Sequence, residues 1–412
     1  MLLNKRRKLS FLLLISTLVV LITTLCAGCV PGDETNRRIN TIVKGSVFSI
    51  AGWEFKTLIG EIRPSGITGI TADDIATVKQ YFNISAQINT LEAKRKAGQA
   101  LSGTDALSAE DEATEANLQV QKGALTGRVE AILERQIRDT LTGEGLYNPF
   151  CGTGRFPPVN FKLATPPNLL IISPREKIER VRDIMLVPNL AAADIGPIED
   201  QIQALGVSAV IEPLGGLGAT FPTFVQDDTS LEYTLKTAVE EWLHQYLAFQ
   251  PVGFQYVLHL LGIKQNYDIV TVNETIAGIA SDEIGAQIYE KYYGGEVTPK
   301  QTAGGEPPSF DFNTAMREIR ITTDNLLAEG RIEQAEQYME EQRQFLASQG
   351  YYIRKLNQAY FAFYGSYADS PTSVDPIGTK LREIRSQADS IQDFLRQVAR
   401  ITTAGELDEI LK

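Results

Sequence analysis

Residues 229–249 read TSLEYTLKTAVEEWLHQYLAF, and the architecture follows from how this stretch folds. Its apolar residues Leu235, Val239, Trp242, Leu243, Tyr246 and Leu247 recur at the spacing of a helix that buries one stripe. Thr229 with Glu232 three residues later predicts a capping box at the helix start. Glu240, Glu241 and His244 interrupt this apolar sequence. Helical geometry puts Glu240 and His244 on one face, one turn apart, with Glu241 beside them. Ionisable groups on such a helix lose hydration, a cost offset only by pairing, hydrogen bonding or a metal ion. Two readings follow: a functional site, or two glutamates on the solvated edge of an amphipathic helix, the commoner fate of such pairs.

The flanking segments extend the first reading. Upstream, residues 215–225 (GGLGATFPTFV) are strand-like in their second half, and Pro222 suits an edge strand, where no neighbour needs its missing amide. No Lys-Ser/Thr pair follows these glycines, so they do not form a phosphate-binding loop. Downstream, Asn273-Glu274-Thr275-Ile276-Ala277 reads as the start of a second helix, which the small residues Ala277, Gly278 and Ala280 would let approach the first closely. Glu274 also has a local reading, as the acid of a capping box with Thr271. Between the two helices, residues 251–268 read as an inserted loop carrying His259, the second of only two histidines.

Glu240-Glu241-Trp242-Leu243-His244 resembles the H-E-x-x-H motif of zincin metallopeptidases, with Glu in place of the first His. The order of an edge strand, a motif helix and a second helix opening with Asn-Glu is similar to the gluzincin branch over residues 205–290. The resemblance implies that Glu240, His244 and Glu274 hold a metal, Zn2+ or another divalent ion. It implies Glu241 as the general base that activates the attacking water, and Gly218, Ala219 and Thr220 as the strand that binds an extended peptide. Glu240 departs from the pattern: an anion replacing a neutral imidazole lowers the positive charge at the site and slows hydrolysis. His259 is a substitute ligand or an ordinary helix residue. A catalytically inactive relative that binds envelope partners is the alternative function.

The rest of the chain reads in blocks. Residues 72–141 predict two or three helices with a polar connection at 102–115, and Pro, Gly and Phe crowd together at 147–161. An apolar run at 168–173 and another at 207–211 predict strands, with an amphipathic helix at 174–184 between them. Helices are expected at 312–348, as one or two, at 351–364 and at 377–399, after a Gly- and Pro-rich link at 294–308. The fold class expected is α+β, mostly helical. Segments 1–30, 31–150, 151–295 and 296–412 would be an anchor, a helical region, a zincin-like α/β core and a C-terminal helical domain.

The first thirty residues bear on location. Lys5, Arg6, Arg7 and Lys8 precede an uncharged apolar stretch at 9–30, long enough to span a hydrocarbon core of about 30 Å. Cys26-Ala27-Gly28-Cys29 offers a second reading, a lipobox whose Cys29 is acylated after cleavage. Both readings tether the chain to a membrane and leave the remainder extracytoplasmic. Setting those four basic residues aside leaves 35 against 51 acidic ones, a net charge of −16. So acidic a surface repels phosphate backbones and excludes nucleic-acid partners. Cys151 is the one cysteine beyond the anchor, which excludes internal disulfides and four-Cys metal sites there.

Overall fold

The computed structural model describes residues 34–49, 69–102, 107–149, 156–188, 190–218, 220–260, 263–264, 266–294, 310–365 and 376–412. These are mostly helical with two small three-stranded sheets, an α+β arrangement. The expected anchor at 9–30, Cys26, Cys29, Cys151 and most of the 294–308 link lie outside them. Among the described residues no helix is long and apolar enough to cross a membrane.

The first sheet has strand order β3-β2-β4, from β2 (Asn168–Pro174), β3 (Arg182–Leu186) and β4 (Val207–Pro213), all antiparallel. Central β2 is covered on both faces, so it reads as a continuous apolar run rather than an alternating one. Leu170 and Ile172, with Ala209 and Ile211 of β4, pack under α1 (Glu34–Val43) and under Ile198 and Ile202 of the helix that precedes β4. Here α2 is Ala72–Ser102, α3 is Ala109–Gly143 and α4 is Ala192–Gln203. Leu169, Ile171 and Val210 face the other way, onto Ala359 and Phe363.

The second sheet runs β1 (Phe161–Leu163), β6 (Thr223–Val225), β5 (Gly216–Leu217), with β1 and β6 parallel and β5 at the edge. The outer side of β1 is closed by carboxylates of α3: Glu134 accepts from the Phe161 amide at 3.2 Å and Glu130 from the Leu163 amide at 2.9 Å. Pro222 precedes β6, the central strand, rather than lying on the edge, so its missing amide falls outside the ladder.

The largest core lies among α3, α5 (Leu231–Leu247) and α7 (Tyr267–Tyr293), with α6 (Pro251–Leu260) between the last two in sequence. Val129, Ile132 and Ile137 meet Leu235, Val239 and Leu243, and Ile269, Val272, Ile276 and Ile284 close the other side. Leu381, Ile391 and Phe394 complete it from α11 (Ile377–Gln387) and α12 (Ile391–Val398). One core thus draws on three of the four segments drawn from composition. The remaining helices are α8 (Phe312–Ala328), α9 (Ile332–Ser348), α10 (Gln358–Tyr364) and α13 (Leu407–Ile410).

Several local expectations are corrected. Residues 174–184 form the turn and start of a β-hairpin instead of a helix: the Val181 amide donates to Ile172 O at 3.0 Å, and Ser173 Oγ accepts from the Glu179 amide at 3.2 Å. Pairing with the buried β2 outweighs the helical periodicity there. The cap of α5 is Ser230, one residue later than expected, while Thr229 turns to Gln226 O and Thr234. Of 351–364 only Gln358–Tyr364 is helical, because Asn357 caps Tyr360 N and Arg354 is drawn out to the buried Glu199. The stretch at 377–399 is two helices, the second restarted by Ser390, and 312–348 splits at Gly330, whose φ of +74° requires glycine.

Gly285 sets how closely α7 approaches α5: a Cβ there would lie 3.2 Å from Lys236 Cα. Gly285→Leu is expected to lower the unfolding free energy by about 1–3 kcal/mol in urea titrations. Gly278→Ala, at a position with open space, is expected to raise it by about 0.4–1 kcal/mol.

Candidate metal centre

Glu240 and His244 project from α5 on the side where α7 crosses, and α7 brings Asn273 and Glu274 to meet them. One ligand atom each from Glu240, His244 and Glu274 lie within 4.8 Å of one another. His244 Nε2 and Glu274 Oε2 are 3.5 Å apart. Neighbouring corners of a tetrahedron with bonds of about 2.0–2.1 Å would be separated by roughly 3.4 Å. The side chains are enclosed but not sealed, His244 keeping 15% and Glu274 10% of their surface exposed.

The surrounding hydrogen bonds orient these donors. His244 Nδ1 lies 2.9 Å from Asn273 Oδ1; donating its hydrogen there leaves Nε2 to face the cluster. Asn273 Nδ2 is buried without a partner among the described residues. Leaving such a group unsatisfied costs about 1–3 kcal/mol, a cost retained where the oxygen's position matters. The Tyr256 hydroxyl donates to Glu274 Oε1 at 2.7 Å, so that Oε2 faces His244, while the tyrosine ring stacks on the imidazole at 5.8 Å.

Glu241 points toward the edge strand. A Cβ on Gly216 would lie 2.4 Å from its Oε1, and one on Gly218 2.6 Å from its Oε2, so the carboxylate fits only because both residues are glycine. Gln245, one turn from Glu241, fixes the loop above by donating to Gly218 O, Thr220 O and Thr223 Oγ1, each at 3.1 Å.

Electrostatics follow from putting three carboxylates around one imidazole. Burial raises the Glu240 carboxyl, and raises Glu241 to about 8. Burial opposes charge on His244, yet Glu274, Glu241 and Glu240 outweigh it and push the imidazole up to about 10. For Glu274, burial is likewise outweighed, by His244 and the hydrogen bonds of His244 and Tyr256, and its pKa falls below the ordinary value. The centre requires positive charge, supplied either by protons on His244 and a carboxyl or by a cation. The donor set, two carboxylates and an oriented imidazole, fits a divalent ion.

The site residues named from sequence thus divide. Glu240, His244 and Glu274 come together, and Glu241 lies beside them against the strand. Glu274 is no capping residue, because α7 begins two turns earlier under an Asn266 cap. Glu240 and Glu241 are half-buried rather than on an exposed helix edge. Gly218 borders Glu241; Thr220 is buried with its hydroxyl on Leu217 O, and Ala219 lies outside the described residues. His259 is not part of the cluster: it sits on α6, and its Nδ1 accepts from the Asn266 amide at 2.9 Å. Tyr256 is a site residue without a motif of its own: residues 251–260 form a helix where the sequence reads as an inserted loop, and the spacing of Val252, Tyr256 and His259 is the signal for that helix.

Comparisons with family models, with curated proteins and with solved structures found no match.

Removing the imidazole's support, Asn273→Ala is expected to weaken divalent-ion binding by about 10–100-fold in titration calorimetry. Binding should strengthen as pH rises towards 10, since His244 must release its proton. In the metal-free chain the sign is opposite: the elevated imidazole stabilises the fold fully below its ordinary pKa, and that contribution is lost as pH approaches 10.

Proposed function

We propose that this chain is a membrane-tethered, extracytoplasmic, zincin-like metal-dependent peptidase with an altered first ligand. The observation that carries the reading is the convergence of Glu240, His244 and Glu274 from two helices on one point, with Glu241 beside them at an edge strand. Glu240, His244 and Glu274 would hold the ion, Zn2+ or a harder divalent cation suited to two carboxylates. A bound ion would supply Lewis acidity, polarising a peptide carbonyl and favouring deprotonation of water.

The chain's own residues would do the rest. Glu241 accepts a proton at its carboxylate and returns it to the leaving amine. Burial raises the Glu241 carboxyl above the ordinary glutamate value, which makes it a stronger base than a solvated carboxylate. The outer edge of β5, last in its sheet at Gly216 and Leu217, would pair with an extended peptide, aligning it past Glu241. Asn273 holds the His244 tautomer and Tyr256 holds one Glu274 oxygen. The tether rests on Lys5, Arg6, Arg7 and Lys8 followed by the apolar stretch at 9–30, retained as a helix or replaced by acylation at Cys29. The net charge of −16 beyond the anchor argues for peptide or protein substrates and against nucleic acid.

One observation favours a second reading, a non-catalytic relative that binds envelope partners through its cleft. With Glu240 an anion, the centre carries three carboxylates, and protons on His244 and Glu241 satisfy it without a metal.

Metal analysis of the purified chain separates the readings: the peptidase reading expects about one zinc, manganese or iron per chain, and the absence of stoichiometric metal refutes it. Glu240→His is expected to raise zinc affinity and peptide cleavage together, because it restores a neutral imidazole. Glu241→Gln is expected to retain the metal and lose cleavage by about 10²-fold or more.

A further inference from the structure

A half-open cavity of about 190 Å³ lies against the metal centre, on the far side of Tyr256. Tyr256 is the shared wall: its hydroxyl is on Glu274 and its ring lines the cavity. Val270 and Thr271, one turn before Glu274 on α7, form the floor, and His259 and Tyr267, edge to face at 4.9 Å, form another side. The opposite wall comes from C-terminal helices, as Phe361 and Ala362 of α10 and Arg320 of α8, and from Arg180 in the hairpin. Cavities at junctions between separately packed cores are the usual location of ligand sites.

The lining chemistry selects the occupant. Both guanidinium groups already have carboxylate partners, Arg180 with Asp183 at 2.6 Å and Arg320 with Asp324 at 2.7 Å, so an anionic ligand is not demanded. Each also packs over a ring, Arg180 over Phe363 at 5.6 Å and Arg320 over Phe361 at 5.8 Å. Guanidinium groups and the rims of Tyr267 and His259 complement the negative face of a further aromatic ring. The size fits as well, because a cavity of roughly 150 Å³ accommodates a benzene ring.

We propose that this cavity receives one aromatic side chain of a peptide, Phe or Tyr, whose neighbouring bond lies at Glu240, His244 and Glu274. Its place next to a scissile bond rests on the peptidase reading, but its capacity to bind a ring does not. The C-terminal helices therefore serve as the specificity wall of the cleft, and the ring they hold presses on the tyrosine that orients Glu274.

The test measures binding of N-acetyl-phenylalanine amide, N-acetyl-alanine amide and N-acetyl-aspartate amide to the full chain by ligand-observed NMR, with chelator and with added Zn2+ or Mn2+. The phenylalanine compound is expected to bind at least about tenfold tighter than the other two in both conditions. Ala362→Trp, which fills the cavity, should abolish that preference at unchanged metal content; Ala362→Leu, a smaller insertion, should reduce it and serves if the first variant does not fold. Equal binding of the three amides, preference for the aspartate compound, or an aromatic preference untouched by the Ala362 replacements would each overturn the proposal. The same aromatic preference in a chain that takes up no metal even with Zn2+ or Mn2+ added would overturn the peptidase reading and leave the cavity assignment standing.

Discussion

The crossing of α5 and α7 is the constraint on which the site depends. Each helix is apolar along the contact, with Leu235, Val239 and Leu243 against Val272, Ile276 and Ile284. Glycine at position 285 lets the backbones close to a distance where a side chain would press on Lys236. At that separation the polar residues of the two helices are largely removed from solvent and satisfy one another. His244 accordingly bonds Asn273, and its other nitrogen faces Glu274. Displacing α7 by an ångström would leave two buried carboxylates and an imidazole unpaired, each a cost of several kcal/mol.

The second sheet is coupled to this crossing through side chains rather than through its ladder. Its edge strand is too short to be rigid by itself, yet Gln245 grips three acceptors in the loop beyond it and Glu241 fills the space two glycines leave. At the opposite edge Glu130 and Glu134 occupy the amides of β1. The sheet is therefore clamped between α3 and α5, with β5 last in its strand order beside Glu241. The C-terminal helices add the far wall of the cleft, and Arg354 on the buried Glu199 fastens their approach to the first sheet.

Much of this was legible in the residues. The stripe of α5, the strand runs at 168–173 and 207–211, and the shared face of Glu240 and His244 follow from short-range spacing, whereas Glu274 joins them only through the resemblance of the motif and its flanking segments, its local spacing reading as a helix cap. What could not be read depended on distant partners. Residues 174–184 have helical periodicity and become a hairpin because β2 is buried on both faces and captures Arg182–Leu186 as a neighbour. The start of α7 lies at Asn266 and not near Thr271 because a further turn finds apolar cover at Ile269 and Val270. Tyr256 acquires its role only through that crossing, since nothing in its own neighbourhood marks it as a partner of a glutamate eighteen residues on.

The central claim is that Glu240, His244 and Glu274 are three ligands of one ion, and an anomalous-scattering map of crystals grown with Zn2+ or Mn2+ tests it most directly. The account predicts a single strong peak within bonding distance of His244 Nε2 and of an oxygen from each glutamate. A map with no peak there, or with a direct hydrogen bond between His244 and Glu274 in the presence of saturating metal, would contradict it.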